Sequence, residues 1–374
     1  MRLNPSAEAR DPVPVLGIAA TPLMAESDAV LDELVFDAVS RALREAGIRK
    51  QELGLSVTAS LDIYDGRSIS SGLTNAASGG YLAQSYRIEG DAGQAVVAAA
   101  QTIAAGDADL AVAVGVYNPE VSAPDRRAFL QQISNHGFEP HFDRPVGMSA
   151  ETVLGLHAGR VVDSGELTEE QLALIAAAAI TRGSTRERSA RTTAVSAADV
   201  LASVRVNGVL RELMLPAEAT GAVAVVLGSL ARARRALHPR AVLTGWGQAT
   251  ADTTASGQWL VDPAVAARRA SLEAYDRAGL AEPAEQVGAA ELTAATPALL
   301  APTVDALGLA KSATEVCPSG GVASCFPGVA NGALRLLEAV EWLEENGGNA
   351  VAHATDLLTG PVAETATVLV AEGI

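Results

Sequence analysis

Aromatic residues make up only 3% of the 374 positions, so Ala, Val and Leu have to fill the interior. Side chains that small let helices sit close on strands, which suits a layered α/β fold. Cysteine is scarce as well: Cys317 and Cys325 are the only two, which excludes a disulfide framework. With no Cys-x-x-Cys pair and no His/Cys cluster, a metal site is not expected. Positive charge is outnumbered, 27 Lys and Arg against 44 Asp and Glu, for a formal charge of −17. A field of that sign repels phosphate backbones and anionic headgroups, so neither nucleic acid nor a membrane is an expected partner. The densest basic run, "RARRALHPR" (232–240), reads as a solvated helix end. No apolar run reaches the ~18 residues of a membrane span, and the N-terminal "MRLNPSAEARDP" has no signal core, so the chain is expected to be soluble and cytoplasmic.

What is present is a repeated order of elements. "PVPVLGIAATP" (12–22) reads as a buried strand, "DAVLDELVFDAVSRALREAGI" (28–48) as an amphipathic helix ending at Ala-Gly, and "LGLSVTAS" (53–60) as a second strand. A polar, glycine-rich stretch fills 61–90. A helix follows from about Gly93 to Ala105, then a Gly-Asp turn and the strand "LAVAVGV". The region 135–147 looks irregular and 148–203 helical. Strand, helix and strand then recur at 240–250, 270–280 and 286–297, and 319–355 supplies a glycine-rich turn, a helix, a Gly-Gly turn and an apolar strand. The likeness is one of pattern and argues for duplication. The expected halves are 1–235, with a loop and helical insertion at about 117–203, and 236–374.

Four segments carry a resemblance to a known family. "AAQTIAAGDADLAVAVG" resembles the helix and strand that follow the nucleophile of the thiolase superfamily. "SGELTEEQLALIAAAAITRGS" (164–184) is similar to its Tyr-Gly-x-Thr-x-Glu helix. "LMLPAEATGAVAVVLGS" (213–229) resembles its Ser-Asp-Gly-Ala-Ala strand, and "CPSGGVASCFPGVANGALR" (317–335) its Asn-Pro-Ser-Gly-Gly and Gly-His-Pro region. The sterol-carrier-protein type of thiolase, also called non-specific lipid-transfer protein, is the member it most resembles. The resemblance implies a five-layer αβαβα fold from two duplicated halves, a tight dimer, and a coenzyme A thioester as ligand with no covalently bound cofactor.

The same resemblance places four reactive positions, and each is altered. Gly90, or Asp91 if the turn is one residue longer, stands where the family has its nucleophilic cysteine at a helix N-terminus. Thr293 takes the place of the His or Asn that helps bind the thioester oxygen; it follows Glu291 and Leu292 and precedes Ala294. Cys325-Phe326-Pro327 replaces Gly-His-Pro, and Phe326 cannot move a proton. The family's last Cys-x-Gly-Gly-Gly loop corresponds to 351–368, whose polar residues are His353 and Asp356. Groups of this kind act as a unit, so ordinary thiolysis is not expected.

Each candidate also has a plain structural reading. Asp91, with Gln94 three positions on, has the pattern of a capping box, the alternative being a general base. Cys325 and Cys317 read as buried fillers, and His353 as a core histidine or a catalytic one. The run "LDIYDGRSIS" (61–70) brings Asp62, Tyr64, Asp65 and Arg67 into an expected loop that is either internally paired or touches substrate. His136 and His141 flank Glu139 too loosely for a metal site. Two functions head the expectations. One is a non-catalytic, acyl-CoA-binding subunit, a homodimer or a heteromer with a catalytic thiolase or a small OB-fold protein. The other is a cysteine-independent C–C lyase acting on a β-hydroxyacyl-CoA, with Tyr64, Asp91 or His353 as base. An acyl-CoA or lipid carrier comes third.

Overall fold

The computed structural model describes residues 11–65, 71–80, 83–119, 125–235, 238–251, 257–310, 312–362 and 364–374. Two sets of five strands carry the architecture. The first comprises β1 (Val13–Ala20), β2 (Leu55–Ala59), β3 (Gln84–Ile88), β4 (Leu110–Tyr117) and, beyond the small hairpin of β5 (Arg205–Asn207) and β6 (Leu210–Arg211), β7 (Gly221–Gly228). The second is β8 (Ala241–Thr250), β9 (Val287–Glu291), β10 (Glu315–Val316), β11 (Asn349–Thr355) and β12 (Thr365–Glu372). Their spatial orders are β3-β2-β4-β7-β1 and β10-β9-β11-β12-β8, the same path taken twice. Polarity repeats too: β4 and β11 lie parallel to β2 and β9 and antiparallel to β7 and β12. The two sets meet edge to edge where Val13, Pro14 and Val15 face Leu243, Val242 and Ala241, so hydrogen bonding continues from one to the other.

Helices complete five layers. Leu31–Ala46 covers the outer face of the first set, with Leu34, Val35, Ala38, Val39 and Ala42 buried against β1, β4 and β7. Val265–Ala278 covers the outer face of the second through Ala267, Ala270 and Ala274. Both stop at a left-handed glycine, Gly47 (φ 67°) and Gly279 (φ 71°), as the paired Ala-Gly signals predict. Ala92–Ala104 and Asn331–Asn346 form the middle layer and touch strands of both sets, so one core draws on the whole chain. Small residues make this spacing possible. A Cβ on Gly115 of β4 would lie 2.7 Å from the Ala330 Cα, just ahead of the second middle helix.

Between β4 and β7 the chain leaves the layers for a helical region. It contains Arg126–His136, Ala150–Asp163, Glu169–Gly183 and Ala197–Ala202, with a separate apolar core around Leu154, Leu172 and Ala176.

Three readings need correction. The stretch 61–90 contains the single-turn helix Asp62–Asp65, the helix Ser71–Ser78 and β3. Strand β3 shows no apolar alternation because Gln84, Ser85 and Tyr86 are all exposed. The segment 351–368 is no single loop: β11 runs to Thr355 and β12 starts at Thr365, which puts His353 inside a strand. The basic run is paired as well as solvated. Arg232 meets Glu52 at 2.8 Å, and Arg240 bridges Glu45 and Glu344. Residues 236 and 237, where the halves were expected to divide, lie outside the described residues.

Candidate functional site

Asp91 ends an extended segment and caps the helix Ala92–Ala104. Its Oδ1 accepts from Gly93 N at 2.6 Å and its Oδ2 from Gly332 N at 3.0 Å, so one carboxyl serves both middle helices. The expected cap is present without the box, since Gln94 N bonds the Asp91 backbone carbonyl at 3.0 Å. Burial pushes the Asp91 carboxyl up to about 8 against the pull of these two donors. Gly90 is buried just before it.

His353 and Thr293 pair across β11 and the end of β9. Thr293 Oγ1 donates to the His353 carbonyl at 3.0 Å and accepts from Asn331 Nδ2 at 2.6 Å. The imidazole is 2% exposed, its Nε2 has no partner, and burial lowers its pKa to about 4. Thr293 therefore spends its hydroxyl on the fold. Arg335 anchors the turn before it, meeting Glu291 Oε2 at 3.1 Å and donating to the Cys325 carbonyl at 3.2 Å, with every partner buried. Burial pushes the thiols of Cys325 and Cys317 up to about 12, far from a thiolate nucleophile.

The groups that open onto space are different ones. A cavity of about 490 Å³ lies at the ends of β4 and β11, and Tyr64, Tyr117, Arg126, Glu218, Phe326 and Asp356 line it. The Tyr64 and Tyr117 rings meet edge to face, 5.6 Å between centroids at 82°. The Arg126 guanidinium lies 5.8 Å from the Tyr117 ring centre and its Nε 3.5 Å from Glu218 Oε2. Burial, followed by the charges of Asp356 and Glu218, holds the Tyr64 phenol well above its usual range and hence protonated. Burial also pushes Asp356 up to about 6, opposed by backbone N–H donors including Leu358 and Thr365, and its Oδ1 has no hydrogen-bond partner.

Of the sequence candidates, Tyr64, Phe326 and Asp356 come together here, while Asp91 and His353 are buried in the surrounding frame. Asp62 is spent on Arg87 at 2.7 Å, and Arg67 lies outside the described residues. Glu139 accepts from the backbone N–H groups of His141 and Phe142, a local turn, and among the described residues no His, Cys, Asp and Glu cluster has the arrangement of a metal site. Tyr117, Arg126 and Glu218 were missed. Tyr117 is the polar last residue of an otherwise apolar strand, the one signal that set it apart.

No protein-family model matches the chain and no curated protein matches it in sequence. Solved structures are similar over almost its full length. The Ltp2-ChsH2(DUF35) aldolase has a TM-score of 0.76 at 18% identity, covering 96% of this chain and 98% of that one. Human mitochondrial 3-ketoacyl-CoA thiolase in complex with CoA has a TM-score of 0.74 at 14% identity, covering 98% and 100%. Acat5 thiolase from Ascaris suum in complex with coenzyme A has a TM-score of 0.73 at 17% identity, covering 96% and 99%. The repeated strand path, the five layers and these full-length likenesses agree: the chain has the thiolase fold.

Proposed function

We propose that the protein cleaves the Cα–Cβ bond of a β-hydroxyacyl-CoA by a retro-aldol reaction. The observation that carries this is the pairing of Tyr64 and Asp356 on one cavity, a proton donor and a base, where no thiol is present. In a retro-aldol step the base removes the β-hydroxyl proton, the Cα–Cβ electron pair moves onto the thioester as an enolate, and an acid protonates Cα. The products are a carbonyl compound and a shortened acyl-CoA, with no acyl-enzyme. Asp356, raised to about 6, is a carboxylate near neutral pH yet basic enough to accept the hydroxyl proton. Tyr64, held protonated, is the donor to Cα. Tyr117 packs against that phenol, and Arg126, held against the Tyr117 ring, brings a positive charge to the same cavity.

The fold shared with an aldolase supports this reading over the non-catalytic subunit that headed the sequence expectations, and the CoA-bound thiolases of like fold support the thioester. The DUF35 component of that aldolase also supports a heteromer. The test is incubation of the purified protein, alone and with proteins co-purified from its host, with 3-hydroxyacyl-CoA thioesters while the released carbonyl fragment is measured. Cleavage abolished by Asp356→Asn and by Tyr64→Phe supports the assignment. No cleavage in any combination overturns it.

A further inference from the structure

A second cavity of about 280 Å³ lies between the helices Glu169–Gly183 and Pro297–Ala306. Leu215 and Pro216 wall it off from the first, and bonds from Ala217 N to the Val322 carbonyl at 2.8 Å and from Phe326 N to the Ala217 carbonyl at 2.7 Å hold that wall in place. The two cavities are therefore separate sites. Leu292, Ala295, Pro297 and Val322 line the second one in depth, and all four are buried.

One face of the helix Glu169–Gly183 sets its open side. Ile175, Ala178, Ala179 and Arg182 follow at steps of three and four, which puts them on one stripe, and all four line the cavity. Ala178 and Arg182 are exposed, so the mouth is there. The stripe is apolar until it ends in a cation. Among the described residues Arg182 is the only charged one in the lining, and no carboxylate pairs with it. Its Nη1 donates to the carbonyls of Val316 and Cys317, both at 3.0 Å, which fixes the guanidinium at the mouth and leaves its Nε–Nη2 edge to a ligand. The walls are tightly set as well. A Cβ on Gly320 would lie 2.6 Å from the Ala179 carbonyl, and one on Gly183 2.2 Å from Ser324 Oγ, so helix and turn are in closest contact and the cavity is preformed.

We infer that this cavity binds a small amphiphile with a single anionic head, a medium-chain carboxylate whose head meets Arg182 and whose tail lies along the apolar walls. Two carboxylate oxygens match two N–H groups of one guanidinium edge. An apolar cavity of about 150 Å³ holds benzene, so this one has room for a tail of up to roughly ten carbons. A peptide or a pantetheine chain suits it poorly, because the amides would lie unpaired against apolar walls. The site does not depend on the chemistry assigned to the first cavity.

Titration calorimetry of the whole chain with octanoate, 1-octanol and acetate tests it. The wild-type protein should bind octanoate tighter than 1-octanol by roughly tenfold or more, and tighter than acetate by roughly a hundredfold or more. Arg182→Gln, which keeps an amide donor for the two carbonyls, should bring octanoate down to the level of 1-octanol and leave 1-octanol unchanged. Ala179→Phe, which fills the cavity, should weaken both. Ala178→Trp, at an exposed position, should block the mouth with the same result and serves should the Phe variant fail to fold. No octanoate binding by the wild-type protein, or equal binding by the wild-type, Arg182→Gln and Ala178→Trp proteins, overturns the inference. Because no turnover is read, failure here leaves the lyase reading untouched, and failure of the lyase reading leaves this site in place.

Discussion

The carboxyl of Asp91 reaches Gly332 N at 3.0 Å, so the first turn of one middle helix is tied to the first turn of its duplicate. Where the thiolase resemblance implies a nucleophile, this chain has a clamp between pseudo-symmetric helices. Two N-terminal dipoles converge on one acidic side chain.

Gly332→Ala tests how tightly that clamp is packed. In an ordinary helix the change stabilises by up to ~1 kcal/mol. Here a Cβ would collide with Asp91 Oδ1 and Gly93 N, so the expected result is destabilisation by about 1–3 kcal/mol or more. Denaturant unfolding measures it, and a stabilised variant contradicts the packing described.

Cys325→Ala should leave turnover within about twofold of wild type, since its thiol is buried and raised to about 12. Iodoacetamide at pH 8 should likewise leave the native protein active. Loss of activity in either experiment would return a thiol to the mechanism.

The pH profile of cleavage should rise through about 6 as Asp356 loses its proton and then stay level past neutrality while Tyr64 keeps its own. Tyr64→Phe should lower kcat by about 10²-fold or more without moving the lower limb. A Phe variant whose rate is unchanged would show that the phenol does no chemistry.

Buried neutral histidines shape stability in acid. His157 and His353 are lowered by burial to about 4 from 6.5, so the unfolded chain binds protons there that the folded chain does not. Their contribution is complete above pH 6.5 and is lost as pH falls toward 4, by roughly 3 kcal/mol each at most. Asp91 and Glu364, both raised to about 8, act the opposite way over that range by binding protons in the folded state. Comparison with His157→Leu isolates the histidine term: the variant should lose less stability between pH 6.5 and 4. Parallel curves for the two proteins would refute this.

Arg335→Met should cost about 3–5 kcal/mol, because it strands Glu291 in the core, and adding Glu291→Gln should recover a large part of that. Additive losses in the double variant would mean the two groups do not act as a pair.

Much of this architecture was legible in the chain. Alternation of short apolar strands with helices ending at Gly47 and Gly279 marked the duplication directly, because a left-handed stop needs glycine. Strand β3 was hidden, since an exposed strand leaves no periodic trace. The site was less visible still. Tyr64 and Asp356 are 292 positions apart and share a cavity only because the short helix Asp62–Asp65 and the end of β11 open onto it, a relation that no local spacing encodes. The positions that the resemblance marks as altered could be read one by one, whereas Tyr117, Arg126 and Glu218 belong to no motif and needed the fold to unite them.

The continuity of β1 with β8, together with middle helices that serve both strand sets, makes the halves mutually intolerant of change. A substitution at Ala330 is felt at Gly115, on the opposite copy of the repeat. Side chains of the middle layer therefore have to suit both sets of strands at once, and a change in volume on one half is met by backbone of the other.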